Sequence, residues 1–478
     1  MTTTTWSRLY DAHVDEIAPR LSSFSRRILL TLFRLPGPIS SGAAPPPHCR
    51  GAAPPAGREQ QRRPHQLRTK VDHSFPKPSS AHGMTRRRRL PSPAPPPPLE
   101  DDDLVAEILR RLPPLPSSLP RASLVCGRWR RLVSDPGFLR GFRAHHRKAP
   151  LLGIFHEDTD AEDADSISIR FTSALESPDR IPASRFPVPV ENPDSCYIIG
   201  SRHGRVLFIH RSRWRYLMWE PLTGGQQFVP FPPAFDCVTN HVSGGAIVCA
   251  ASDESHVHGA CHSAPFQVIL LGCNRELVFA CIYSSETGEW GNLNSIPWPL
   301  NTGSVSSFAE WSSILVGNSI CWMLMGSKAA IISFDLDRQN LDVVQVPPDV
   351  YDPIALFSLD HNYLITPTDD GGLGLLFVSA CDYNIRLWKR KTDCYGVAGW
   401  VLQNTVELNN HLLSLRPEVV DNDMPLLVMG LAEEDSLIFL LAYGAIFMVH
   451  VESAQFKKFP QSMHYCRCHP FTSFYTAG

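Results

Sequence analysis

The chain has 478 residues with 45 Lys/Arg against 47 Asp/Glu, 43 prolines and 13 cysteines. That length exceeds one compact domain of ordinary size. The near-neutral total hides an asymmetry: residues 1–98 carry a net +11, residues 99–150 a net +4 and residues 151–478 a net −17.

The basic front, 1–98, holds 17 prolines and no sustained apolar period after Leu35. Such a segment buries too little surface to offset chain entropy and is expected to be disordered. Arg26, Arg27, Ile28, Leu29, Leu30, Leu32 and Phe33 sit in a Ser/Thr-rich opening that has some features of a transit peptide, against which Asp11, Asp15 and Glu16 count. Arg86–Arg89 is a candidate import signal or nucleic-acid patch; without interleaved aromatics it reads as solvated charge. Met84 opens a short tail leading into the next module and is the expected physiological start.

From Leu99 to Lys148 the pattern turns helical. Glu100, Asp101, Asp102 and Asp103 suit a helix N-terminus, and Leu104, Val105, Ile108, Leu109 and Leu112 form one apolar stripe, with Arg110 and Arg111 at its end and Pro113 stopping it. A second helix is expected with Pro120 in its first turn and Ala122, Val125, Cys126, Trp129, Leu132 and Val133 on its stripe. Asp135-Pro136 reads as N-cap and first residue of a third helix carrying Phe138, Leu139 and Phe142. Three short helices in about fifty residues make a marginal core with more apolar surface than it can bury alone. Such a module is expected to dock.

These residues resemble the F-box, in the form carried by grass-plant F-box proteins with a long β-rich C-terminal region. The resemblance implies a grip on a Skp-type adaptor, which leads to a cullin scaffold, and a core and adaptor-facing surface supplied by Leu104, Ile108, Leu109, Leu112, Pro113, Leu124, Val125, Cys126, Trp129 and Leu132. The family's opening Leu-Pro is here reversed as Pro98-Leu99 and followed by Glu100-Asp101, from which weaker adaptor binding is expected. Gly127 and Gly141 stand where a basic residue is usual; inside a helix each costs about 1 kcal/mol against Ala.

Beyond Leu151 short β-like runs take over, among them Arg205–His210, Phe266–Leu271, Leu277–Tyr283 and Ser436–Leu441. A weak repeat, strand end then polar turn, is anchored at Phe171, Trp219, Tyr283, Phe334, Trp388 and His450. Spacings of roughly 50–60 residues suit one four-stranded blade per copy. The expected class is therefore α+β multidomain: a disordered 1–98, a three-helix F-box at 99–148 and an all-β domain at 149–478. Six copies predict a six-bladed β-propeller, with seven blades or a pair of sandwiches as alternatives. Asp370-Gly371-Gly372-Leu373-Gly374, Leu387-Trp388, Gly399–Leu402 and Pro470–Tyr475 add to the same resemblance.

The longest apolar run, Leu437–Val449, falls short of the ~20 residues of a spanning helix and is broken by a turn at Tyr443-Gly444. Cysteines without framework spacing or a secretory signal predict reduced thiols in the cytosol or nucleus. No Gly-x-Ser-x-Gly elbow, phosphate loop or complete dinucleotide fingerprint occurs, so a non-catalytic protein is expected. Two Cys/His runs, His256–His262 and His464–His469, lack the paired Cys-x₂₋₄-Cys spacing of zinc sites, and the acidic run Glu157–Asp165 lacks the ordered spacing of calcium loops. Neither metal nor cofactor is expected. The predicted role is substrate recognition in a Skp-cullin-F-box type ubiquitin ligase, the client unknown, with an F-box binding protein outside any ligase as the first alternative and a propeller enzyme as the second; the acidic body hints at basic clients.

Overall fold

The computed structural model describes residues 102–476, apart from 160–166, 190–195, 211–214, 236–240, 253–255, 275, 300–306, 309–312, 326–328, 348–362, 380–382, 409–425 and 460–466. The proline-rich front with Met84, the acidic residues Asp160–Asp165 and the run His464–Cys466 lie outside the described residues.

The helical module comprises α1 (Asp102–Arg110), α2 (Ser118–Ser123), α3 (Gly127–Val133) and α4 (Pro136–His146), four short helices where three are expected. The expected second helix is broken in two. Cys126 is extended at φ −161°, ψ 166°, and its Sγ accepts the Trp129 amide at 3.5 Å, which caps α3 and lets it turn back across α1. Arg128 then reaches Asp102 at 2.6 Å. Gly127 is therefore the first residue of α3, and the interior-glycine penalty does not apply to it; Gly141 remains interior to α4. At the start of α4 Asp135 accepts the Phe138 amide at 2.8 Å, as the Asp-Pro pair predicts. The core comprises Val105, Ala106, Leu109, Leu119, Ala122, Val133, Phe138 and Phe142.

Six antiparallel sheets follow, each a blade. Blade 2 is Cys196–Arg202, Arg205–His210, Arg215–Glu220 and Gly225–Val229. Blade 3 is His241–Cys249, Phe266–Cys273 and Leu277–Ser284, edged by Glu289–Trp290 and Asn294–Pro297. Blade 4 opens on the short pieces Ser307–Phe308 and Ile314–Val316, then Ser319–Met325, Ala330–Asp335 and Leu341–Gln345. Blade 5 is Tyr363–Pro367, Leu373–Ser379, Asn384–Thr392 and Ala398–Glu407. Blade 6 is Leu427–Ala432, Leu437–Ala442, Ala445–His450 and Phe456–Lys458. Blade 1 joins the two ends of the domain: Leu151–Thr159 pairs both with Ile167–Ser173 and with the C-terminal strand Cys468–Thr472.

First strands of successive blades touch one another around the axis, with Cys468–Thr472 serving as the first strand of blade 1. Second strands pack between neighbouring blades and are buried on both faces, which is why Val206-Leu207-Phe208-Ile209 or Val268–Leu271 read as unbroken apolar runs. Counted from the axis, all six repeat anchors fall on third strands. The repeat is a turn. In blades 2, 3, 4 and 6 the amide four residues on bonds back to the strand-end carbonyl, as Gly224 to Glu220 (2.8 Å) and Gly288 to Ser284 (2.9 Å). That residue has positive φ and is Gly224, Gly288, Gln339 or Ala454. Blade 5 departs: its third strand runs on to Thr392, and Trp388 lies inside it.

The first strands of blades 2, 3 and 6 carry a bulge ending at Gly200, Gly244 and Gly430. A Cβ on Gly244 would lie 2.8 Å from Trp322 Nε1, and one on Gly430 would strike the Cys468 carbonyl. Crowding around the axis thus demands glycine. Gly430→Ala is expected to cost about 1–3 kcal/mol, because the neighbour is backbone. Ala454→Gly is expected to gain up to about 1 kcal/mol by relieving a left-handed residue. Urea unfolding of the full chain measures both.

Candidate functional site

On α1 the predicted stripe divides. Val105 and Leu109 face inward with Ala106, whereas Leu104 and Ile108 share the opposite face, 40% and 44% exposed. The break between α2 and α3 puts Leu124 and Val125 on a corner, 75% and 63% exposed, next to the exposed Cys126. Pro113 is exposed too, while Leu112, Trp129 and Leu132 are half-buried against the core. The ten residues singled out in the sequence therefore separate into a buried Leu109, three that brace the core, and six at the surface.

Two polar contacts join this module to the propeller. Lys148 pairs with Asp435 of blade 6 at 2.7 Å, and the Ser117 amide donates to Asp179 after blade 1 at 2.8 Å. Ala149, at the joint, is buried. The contacts lie on the face where first strands end and second strands begin. The opposite face is where fourth strands end, and from it the segments 348–362 and 409–425 leave.

Across the axis on the helical side runs Arg202, which the sequence does not single out. It ends the first strand of blade 2, and its guanidinium forms an ion pair with Glu433 of blade 6. The same group donates to the Ser313 carbonyl of blade 4 at 2.7 Å and the Ile247 carbonyl of blade 3 at 3.3 Å; Glu433 also accepts the Leu315 amide at 3.3 Å. The axial pocket beside it, lined by Ser201, Arg202, Ser313, Glu433, Glu434 and His469, holds about 40 Å³. That is room for a water, far below a small-molecule site of several hundred Å³. Burial among Asp435 and Glu433 raises the Glu434 carboxyl above its usual range. Gly371-Gly372 forms a hairpin turn, the Thr368 amide meeting the Gly372 carbonyl at 2.9 Å. Tyr443-Gly444 is likewise a turn, both residues at positive φ.

The Cys/His runs fare differently. In the second, Cys468 enters the core between blades 6 and 1 while His469 is buried towards the axis, since successive strand residues face opposite ways. In the first, His256, His258 and Cys261 converge and are joined by Cys249, whereas His262 turns away to Glu220 at 3.9 Å. Arg205, 2% exposed, pairs with Glu220 at 3.1 Å and holds this loop by the Cys261, Ala264 and Pro265 carbonyls. Nothing in the sequence marks Arg205 beyond its place at the head of an apolar strand.

These features define the class: a helical docking module fixed to one face of a six-bladed propeller whose axis is pinned shut on that side. Two family models match. The F-box domain matches residues 101–141, and the β-propeller of AT5G49610-like F-box proteins matches residues 197–477. The chain belongs to this family of F-box proteins with a C-terminal propeller. Its likeness to solved structures is lower, with a TM-score of 0.31 in each case. The luciferin-regenerating enzyme is 8% identical over 56% of this chain and 78% of that one. The Pseudomonas aeruginosa periplasmic gluconolactonase PpgL is 12% identical over 53% and 67%, and the Dos1 propeller 8% identical over 62% and 66%. No curated protein matches the chain.

His469 gives the site a pH signature. Burial, then the charges of Arg467 and His156, lowers its pKa to about 3, and neither ring nitrogen has a partner. An unfolded histidine binds its proton near pH 6.5. The contribution of the neutral ring is thus complete above pH 6.5 and lost as pH falls from there towards 3. His469→Leu is expected to gain on the wild type by about 1.4 kcal/mol per pH unit below pH 6, read from urea midpoints between pH 7.5 and 5.

Proposed function

We propose that this chain is the substrate-recognition subunit of a Skp-cullin-F-box type ubiquitin ligase, working in the cytosol or nucleus. The observation that carries this reading is the exposed apolar set Leu104, Ile108, Leu124 and Val125 on an F-box joined to a propeller. The adaptor covers that set, and the cullin follows through the adaptor. The chain itself performs no bond chemistry. It holds a client beside the ubiquitin carrier and raises its effective concentration there. The axial pocket of about 40 Å³ and the Arg202–Glu433 pin agree with a protein client rather than a small-molecule substrate.

The client is read on the face away from the F-box, where fourth strands end, as at Gln345 and Glu407. A net charge of −17 over residues 151–478 favours basic clients.

The test is capture of a Skp-type adaptor and a cullin by the full chain, beside Ile108→Ala/Leu124→Ala. Both side chains are exposed, so the variant is expected to keep the wild-type melting temperature and to lose adaptor affinity at least tenfold, about 1.4 kcal/mol or more. Adaptor without cullin would withdraw the ligase reading. Neither partner, from folded wild type, would withdraw adaptor binding as well.

A further inference from the structure

We propose a zinc site made by Cys249, His256, His258 and Cys261, at the seam between blade 3, the closing strand and the root of the F-box. One ligand atom from each of the four lies within 4.8 Å of all the others. His256 Nε2 is 3.3 Å from Cys249 Sγ and 3.2 Å from Cys261 Sγ, and His258 Nδ1 is 3.8 Å from Cys261 Sγ. Tetrahedral zinc with bonds of about 2.3 Å to sulfur and 2.0–2.1 Å to nitrogen sets its ligand atoms about 3.3–3.8 Å apart. Three of the six edges thus already lie close to those of a zinc tetrahedron, and none of the six exceeds 4.8 Å.

The donor chemistry agrees. Two thiols and two imidazoles with no carboxylate among them form a set suited to zinc rather than to calcium or magnesium. Two thiolates offset the charge of the dication, so the filled site is neutral beside the Arg205–Glu220 pair, itself neutral. The thiolates come from the two ends of the loop between the first and second strands of blade 3. In sequence Cys249 closes a strand seven residues before His256, outside the run His256–His262, and the fold puts it in the place that His262 vacates by turning to Glu220.

Contacts that need no metal hold the ligands in place. His203, buried, accepts the Cys249 amide on Nδ1 at 3.0 Å, and its ring stacks on His258 with centroids 3.9 Å apart. The carbonyl of Gly259, between two ligands, accepts Ser473 Oγ at 2.6 Å and the Phe474 amide at 3.1 Å. A Cβ there would strike Ala149, the joint to the F-box. Outer partners that fix ligand orientation in this way are the usual surroundings of a protein metal site. The ion would fix the blade 3 loop, whose Gly259 carbonyl holds the closing segment, and so stiffen the base on which the F-box stands.

The experiment is elemental analysis of the full chain purified from zinc-supplemented culture, with cobalt exchange. We expect one zinc per chain after dialysis and, with Co²⁺, the visible absorption of a tetrahedral ion together with a thiolate-to-cobalt charge-transfer band. Cys249→Ser/Cys261→Ser should lose both signals, and Cys394→Ser, at an exposed cysteine outside the set, should keep both. The cobalt spectrum of wild type stands even if the double variant does not fold. Folded wild type well below one zinc per chain, a cobalt spectrum lacking the thiolate band, or an intact mass showing a Cys249–Cys261 disulfide would overturn the site.

Discussion

One arginine crosses the axis of this protein, and the arrangement of four blades depends on it. Arg202 leaves blade 2 and is met by carbonyls of blades 3 and 4 and by the carboxylate of Glu433 on blade 6. Burying two charges is costly, and an ion pair alone rarely returns more than that cost. What the pair supplies is geometry: the planar guanidinium makes its four hydrogen bonds, two to Glu433 and one each to Ser313 and Ile247, only when blades 3, 4 and 6 hold their places around blade 2. The bulged glycines let those blades come close enough. Gly430 faces the backbone of the closing strand, where no side chain fits.

Closure sits beside this pin. The closing strand brings Phe471 into the aromatic cluster of blades 1 and 2, 5.3 Å from Phe155 and 5.6 Å from Phe186 between ring centroids. The F-box joins the chain just before Leu151, which pairs with Thr472 of the same strand. Docking module, ring closure and the proposed zinc site therefore meet at one seam. The Lys148–Asp435 and Ser117–Asp179 contacts join the helical module to the propeller beside it.

Much of this was legible from residues alone. Third strands announced themselves because those of blades 2, 3, 4 and 6 end in a turn with a left-handed fourth residue, a local requirement that leaves a local mark at Gly224 and Gly288. Doubly buried second strands showed as apolar runs for the same reason: their environment is uniform along their length. The second F-box helix was misread because a thiol cap is a weak signal, and Val125 and Cys126 fit a helical stripe as well as they fit a corner. Arg202, Glu433 and Cys249 were invisible for a different reason. Their partners lie 231, 231 and 7 residues away along the chain in the Arg202–Glu433 and Cys249–His256 contacts, and ring closure or strand register decides who meets whom. Residues acting across a ring leave no periodicity.

The closing strand has a consequence for the chain while it is being made. Translation releases the F-box and the strand that begins at Leu151 more than 300 residues ahead of that strand's partner, Cys468–Thr472. Until then blade 1 lacks its axial strand, Phe155 lacks Phe471, and the ring stays open along two edges. A chain that stops short of that strand would carry the F-box beside an unclosed ring, its unpaired edges open to aggregation. The ring is therefore a product of the longest-range strand pairing in the domain, Leu151–Thr159 with Cys468–Thr472.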